Sequence, residues 1–167
     1  VERAELHEYV GEAMEQRYDE VLEEVVVPLA VHFELAGHAV KAIQYHEFAG
    51  NNALRLSGYE DARLHFEKAL SLLKEQPETA ERYQKELALL TGLSIPMSIF
   101  HGYASKEVGL LFDRMVVLLD VIPLDLDMFP LIHNLSAYYQ LSGQHHKTLE
   151  LLTKAEEVAR RSEQELF

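Results

Sequence analysis

The sequence predicts an all-α chain of about eight helices, paired as antiparallel hairpins and stacked as a repeat. Three observations lead there. Apolar residues recur at helical spacing, as in Val21, Leu22, Val25, Val26, Leu29 and Phe33. Breaks fall at glycines and prolines, and the connections between them are about two to five residues, short enough to force neighbouring helices antiparallel. No stretch carries a competing strand pattern; the β-branched run Val25–Val27 is too short to build a sheet alone.

The first helix is expected over Glu2–Gln16, with Leu6, Val10, Ala13 and Met14 on one face. The second runs over Glu20–Ala36; Pro28 should kink or break it, and Gly37 ends it in the left-handed conformation. The third covers Ala39–Leu56 and stops at Ser57–Gly58. The fourth covers Tyr59–Glu75 and stops near Pro77. The fifth extends from about Glu78 to Phe100, bent at Pro96 and closed by Gly102. The sixth covers Ser105–Val121, ahead of Pro123. After a turn region the seventh covers Met128–Ser142, closed by Gly143, and the eighth covers His145–Leu166.

Composition narrows the function classes. Hydrophobic residues make up 48% of the 167, enough for a continuous core. There is no cysteine, so disulfides and thiolate metal sites are excluded, and a reducing, cytoplasmic location is expected. No apolar run approaches membrane-spanning length and no N-terminal signal pattern is present. Twenty-eight acidic against fifteen basic residues give a net charge of −13, which opposes nucleic acid and anionic membranes. Because the chain starts at Val1, it is expected to be a piece of a longer protein.

Two stretches repeat a pattern of small and large residues. In one, Gly50 is followed by the turn Gly58–Tyr59 and then by Ala62, Phe66 and Ala69. In the other, Ile132, Leu135, Ser136 and Tyr139 precede Gly143, with Thr148, Leu152 and Ala155 beyond it. A poorer copy has Gly102 with Val108, Phe112 and Met115, where Met115 stands in a small-residue place and predicts looser packing. Small residues let helices approach, and large ones fill the gap between successive pairs. The pattern resembles tetratricopeptide (TPR) units, which implies a right-handed solenoid. Residues 38–77, 78–122 and 126–166 are then TPR-like pairs, and residues 1–37 are a leading pair, all in one domain over 1–167. Ala62, Val108 and Thr148 are 46 and 40 residues apart, longer than the usual TPR period. Gly37, Ala42 and Ala49 form a weaker echo of a turn followed by a second helix.

A narrower resemblance rests on Pro28–Gly37, on Lys41–Tyr45, on Gly102–Val108 and on the opening Arg3–His7. These segments resemble a helical region of large bacterial regulators, the STAND-class predicted ATPases, often fused to nucleotide-cyclase, kinase or DNA-binding domains. The resemblance covers about Arg3 to Ala155 and implies a sensor array that regulates an ATPase domain upstream. The phosphate-cradling G-x-x-x-x-G-K-[ST] motif itself is missing from this sequence.

No constellation calls for catalysis. His32 and His38 straddle Gly37, and His145 and His146 are adjacent, so neither pair has the three- or four-residue spacing of helical metal ligands. Carboxylate pairs such as Glu23/Glu24 and Glu156/Glu157 read as solvated faces, and no nucleophile elbow occurs. The chain is therefore expected to be no enzyme and to take no cofactor or metal. In TPR arrays the first helix of each pair lines the concave face. The resemblance places Gln44, Glu47, Asn51 and Arg55 there on the third helix, and His133, Asn134 and Gln140 on the seventh. Asn51 stands where an asparagine grips a peptide backbone through its donor and acceptor. The expected function is protein–protein interaction or regulatory sensing, with a peptide, protein or small inducer in the groove. The alternative is a structural spacer or oligomerisation element, associating through the apolar end formed by Leu151, Leu152, Ala155 and Val158. An aromatic set, Phe100, Tyr103, Phe112, Phe129, Tyr138 and Tyr139, is expected mostly in the core.

Overall fold

The computed structural model describes residues 2–165, with side chains as far as Ser162. Among them are eight α-helices and no strand. They are α1 Glu2–Arg17, α2 Leu22–Ala36, α3 Ala39–Arg55, α4 Tyr59–Lys74, α5 Ala80–His101, α6 Lys106–Leu119, α7 Phe129–Leu141 and α8 His145–Glu165. Short 3-10 turns, Asp19–Val21 and Leu126–Met128, precede α2 and α7. The expected end of the last helix at Leu166 lies outside the described residues. No helix is long and apolar enough to cross a membrane, among the described residues.

The helix ends show why the boundaries fall where they do. At the end of α2, Gly37 takes φ +78°, and His38 N–H closes on the Phe33 carbonyl at 2.9 Å. Gly143 closes α7 the same way, with Gln144 N–H on the Tyr139 carbonyl at 2.8 Å. After α3 the left-handed residue is Ser57, at φ 60°, while Gly58 only donates to the Ala53 carbonyl. The fifth helix begins two residues later than expected because Thr79 caps it, accepting from Arg82 N–H at 3.2 Å. Ser105 caps α6 in the same manner, through Val108 N–H. Neither proline stops its helix. Pro28 is exposed, so water can take up the carbonyl it leaves without a donor, and α2 continues through it. The α5 helix likewise runs through Pro96.

The chain forms two compact units, Val1–Pro96 and Met97–Phe167. In the first, α1, α2, α3 and α4 pack in succession. Ion pairs also join α1 to α3 (Lys41 to Glu15), α3 to α5 (Lys85 to Glu47) and α2 to α4 (Lys68 to Glu34). Its core is organised by two rings. Phe66 of α4 is fully buried, and a Cβ added at Gly50 of α3 would lie 2.9 Å from its ring; one at Gly92 of α5 would lie closer still. Phe33 of α2 is buried against Gly11 of α1 and stacks on Tyr45 of α3 at 5.5 Å between ring centres. Hence α1 buries Gly11, and of the expected apolar face Met14 packs, partly buried, against the core. Leu6 is 61% exposed and Ala13 is exposed, because Phe33 fills the space a larger side chain would need.

The second unit packs α6, α7 and α8. Tyr103, Phe112, Tyr138 and Tyr139 form a chain of edge-on rings, while Phe100 stays half exposed. Met115 is fully buried, as are Phe112 and Val108 on the same helix. Leu152, expected as a core filler, is 52% exposed; Leu151 and Val158 are buried instead. Lys147 and Lys154 of α8 pair with Asp113 and Asp120 of α6.

Replacing Gly92 with Val should push branched carbons into the Phe66 ring. The expected cost is roughly 1–3 kcal/mol, and Phe66→Ala should cost about 3–5 kcal/mol, both read as losses of urea-unfolding free energy.

Candidate ligand-binding groove

The seven residues expected to line a groove divide between the two units. Gln44, Glu47, Asn51 and Arg55 stand on α3 in the first; His133, Asn134 and Gln140 stand on α7 in the second.

On α3 the helical period sets Gln44, Glu47 and Asn51 along one strip, opposite the buried Ala42, Ile43, His46, Ala49 and Gly50. Gln44 and Asn51 are exposed. The strip is bracketed by helices on both sides. Towards α1, Glu15 accepts from Lys41 Nζ at 2.7 Å and from the Tyr45 hydroxyl at 2.6 Å, and His38 meets Glu8 at 2.6 Å. Burial, with Glu15 beside it, drives the Tyr45 hydroxyl far above its usual range, so Tyr45 is a permanent donor. Towards α5, Lys85 Nζ donates to Glu47 at 2.6 Å. Glu47 is thus already engaged, while Gln44 and Asn51 present their amides outward.

Gln44 also edges an apolar cavity of about 280 Å³, walled by Val40, Ile43, Leu73 and Pro77, with Arg82 and Lys85 at its α5 side. Arg82 is held in place by its Nε donating to the Leu73 carbonyl at 3.1 Å, with the Glu78 carboxylate 3.7 Å from its Nη1.

Arg55 is engaged differently. Its guanidinium reaches Glu23 of α2 and the Asn52 side chain. This pairing spans the rim of a second cavity of about 380 Å³, between α2, α3 and α4. Glu23, Glu24, Asp61 and Asn52 supply its polar wall, and His65 reaches its floor.

Each of the first two hairpins holds a histidine pair that sequence reasoning missed, and His65 of one pair lines the second cavity. His46 Nδ1 of α3 lies 3.0 Å from His65 Nδ1 of α4, and His46 Nε2 lies 3.4 Å from Glu34 of α2. Glu34 in turn accepts from Lys68 at 2.7 Å. Burial would raise the Glu34 carboxyl, but Lys68 and His46 outweigh it and hold it low. Burial pushes His46 down, the charges of His65 and Lys68 add to this, and Glu34 opposes it. Burial lowers His65 too, against Asp61. In the first hairpin His7 Nδ1 of α1 lies 3.0 Å from His32 Nδ1 of α2, and burial followed by the charge of His7 lowers His32. The missed signal is an internal repeat. His7-Glu-Tyr-Val-Gly11 matches His46-Glu-Phe-Ala-Gly50, and His32-Phe-Glu-Leu-Ala36 matches His65-Phe-Glu-Lys-Ala69. The two halves lie 25 residues apart in the first copy and 19 in the second, which hides the match from a fixed-period search.

On α7, His133 and Gln140 are exposed, but Asn134 is engaged: the Tyr103 hydroxyl donates to its side-chain oxygen at 3.0 Å. Among the described residues no group of three or more His, Asp or Glu is placed to hold a metal ion. A scan against protein-family models finds no match, and neither do searches of curated proteins and of solved structures.

The Arg55–Glu23 pair has both side chains more than half exposed. Arg55→Ala should therefore cost no more than about 1 kcal/mol of unfolding free energy. Urea titration of the variant beside the parent checks this.

Proposed function

We propose that this chain is a binding module, not a catalyst, whose α3 strip takes a peptide or a segment of a partner protein. The single observation that carries the reading is the pair of outward amides on one strip of α3, Gln44 and Asn51, with Gln44 bordering the apolar cavity at Val40, Ile43 and Leu73. A side-chain amide offers a donor and an acceptor together, which matches a peptide backbone. A concave apolar cavity next to it takes one aliphatic or aromatic side chain. The ion pairs to α1 and α5 fix the strip from both sides, so little ordering is left for the ligand to impose.

This reading agrees with a TPR-like array, with ring-into-glycine packing in successive hairpins and the polar strip on alternate helices. It also agrees with the resemblance to the helical regions of bacterial STAND-class regulators. In that setting the array senses a peptide, protein or small inducer in the cytoplasm and controls an ATPase domain. The net charge of −13 favours basic or neutral ligands over nucleic acid.

A second reading, spacer or oligomerisation element, is favoured by one feature of the second unit. Leu141, Leu149 and Leu152 are more than half exposed on α7 and α8.

A phage-displayed random peptide library panned on the purified chain separates the two. Binding-module behaviour is enrichment of peptides whose affinity falls about tenfold or more, about 1.4 kcal/mol, in Gln44→Ala/Asn51→Ala. Absence of enrichment, together with an oligomer dissolved by Leu149→Glu/Leu152→Glu, would instead establish the spacer.

A further inference from the structure

The histidine pairs have no part in the ligand reading, and their geometry sets a strict limit on protons. An ionised carboxylate only accepts hydrogen bonds, so Glu34 fixes the proton of neutral His46 on Nε2. The Nδ1 of His46 is then a bare acceptor, and His65 Nδ1–H must donate to it across 3.0 Å. The result is a chain in which His65 donates to His46 and His46 to Glu34, which also accepts from Lys68, joining α4, α3 and α2. One added proton is accommodated: His46 becomes the donor at Nδ1, and His65 turns acceptor in its other tautomer. Two added protons are not. Both Nδ1 atoms would then carry hydrogens facing each other, on two cations, one of them only 4% exposed.

We propose that the His46–His65 pair is a proton-operated latch, which holds α3 on α4 while it carries at most one extra proton and releases the hairpin when a second is added. Every element packed there contributes a charge to the balance. From α2 comes Glu34, which favours a proton on His46; from α4 come Lys68, which opposes it, and Asp61, which favours one on His65. The internal repeat supplies independent support. The same His–His contact recurs at the matching places in the α1–α2 hairpin, although the spacing between its halves differs. Each pair is thus a separate contact formed by the fold and not a by-product of one loop length.

The sign follows from proton linkage. Both histidines titrate below their unfolded value of about 6.5. Under about pH 6.5 the unfolded chain binds protons that the native hairpin refuses, so stability is full above that pH and declines as pH falls through the lower native range.

The test uses the whole chain in EDTA, from about pH 7.5 to about pH 5. Heat unfolding should show the parent losing roughly 3–6 °C more of its midpoint across that range than His65→Gln. The control His146→Gln, at an exposed site, should match the parent. Nitrogen-15 spectra of the unaltered chain decide the matter even if His65→Gln fails to fold. The latch requires His46 to be protonated on Nε2 at neutral pH and to titrate in linked steps with His65. Independent single-step titrations of the two rings near pH 6.5 would overturn it. So would a folded His65→Gln whose midpoint keeps the parent's full pH dependence.

Discussion

The first unit depends on one contact more than any other: the Phe66 ring seated between Gly50 and Gly92. A phenyl ring approaches two helix backbones this closely only where both give up their side chains. Here α3 and α5 both do so. The consequence reaches the surface. With α3 and α5 brought close on one side of Phe66, Lys85 can reach Glu47, and the strip carrying Gln44 and Asn51 faces away from the ring. The cavity at Ile43 and Leu73 is what remains where α5 begins, past the Gln76–Thr79 turn. Phe33 against Gly11 sets the α1 side by the same means.

Charge is arranged around this frame to bridge helices. Cations on or beside α3 are largely engaged with carboxylates of other helices: Lys41 with Glu15, Lys85 with Glu47, Arg55 with Glu23 and Lys68 with Glu34. Each such pair is partly solvated and adds little stability by itself. Their value is positional, since each fixes the lateral register of two helices that already pack. The acidic excess then remains as a field over the surface and does not pair internally.

How much of this the sequence discloses depends on the kind of signal. Helix order and the closures at Gly37, Gly102 and Gly143 were legible, because a left-handed glycine is a local requirement that a single residue announces. The closure at Ser57 was not, since a serine in that conformation looks like any other serine until the chain around it is seen. Helical periodicity read α1 only in part: Met14 packs against the core as expected, but Leu6 and Ala13 are exposed while a glycine is the buried residue. A burial rule keyed to hydrophobicity cannot find a helix whose buried position is defined by a ring on its neighbour. Gly50 and Phe66 were legible as the small and large places of one spacing pattern; Gly92 was not, because its partner ring is on the preceding helix. Of the groove residues, Gln44 and Asn51 are exposed, and Gln44 borders a cavity. Arg55 and Asn134 instead contact Glu23 and Tyr103, partners that lie outside their own helices and outside any local pattern.

His46 and Glu47 are neighbours in sequence and face different ways, one into the α3–α4 contact and the other towards α5. Whatever shifts α3 against α4 therefore acts on the same rigid helix that presents Gln44 and Asn51. A helix moves as a body, so a change at its buried face displaces its outer strip relative to Lys85 and the cavity wall contributed by Leu73. The groove proposed for ligand and the latch proposed for protons share α3, and linkage makes any coupling between them reciprocal. A ligand that favours the closed strip would make the second proton harder to add, and acid that opens the hairpin would weaken the ligand by the same factor. The sign of that coupling is set by which state of the shared helix the ligand favours.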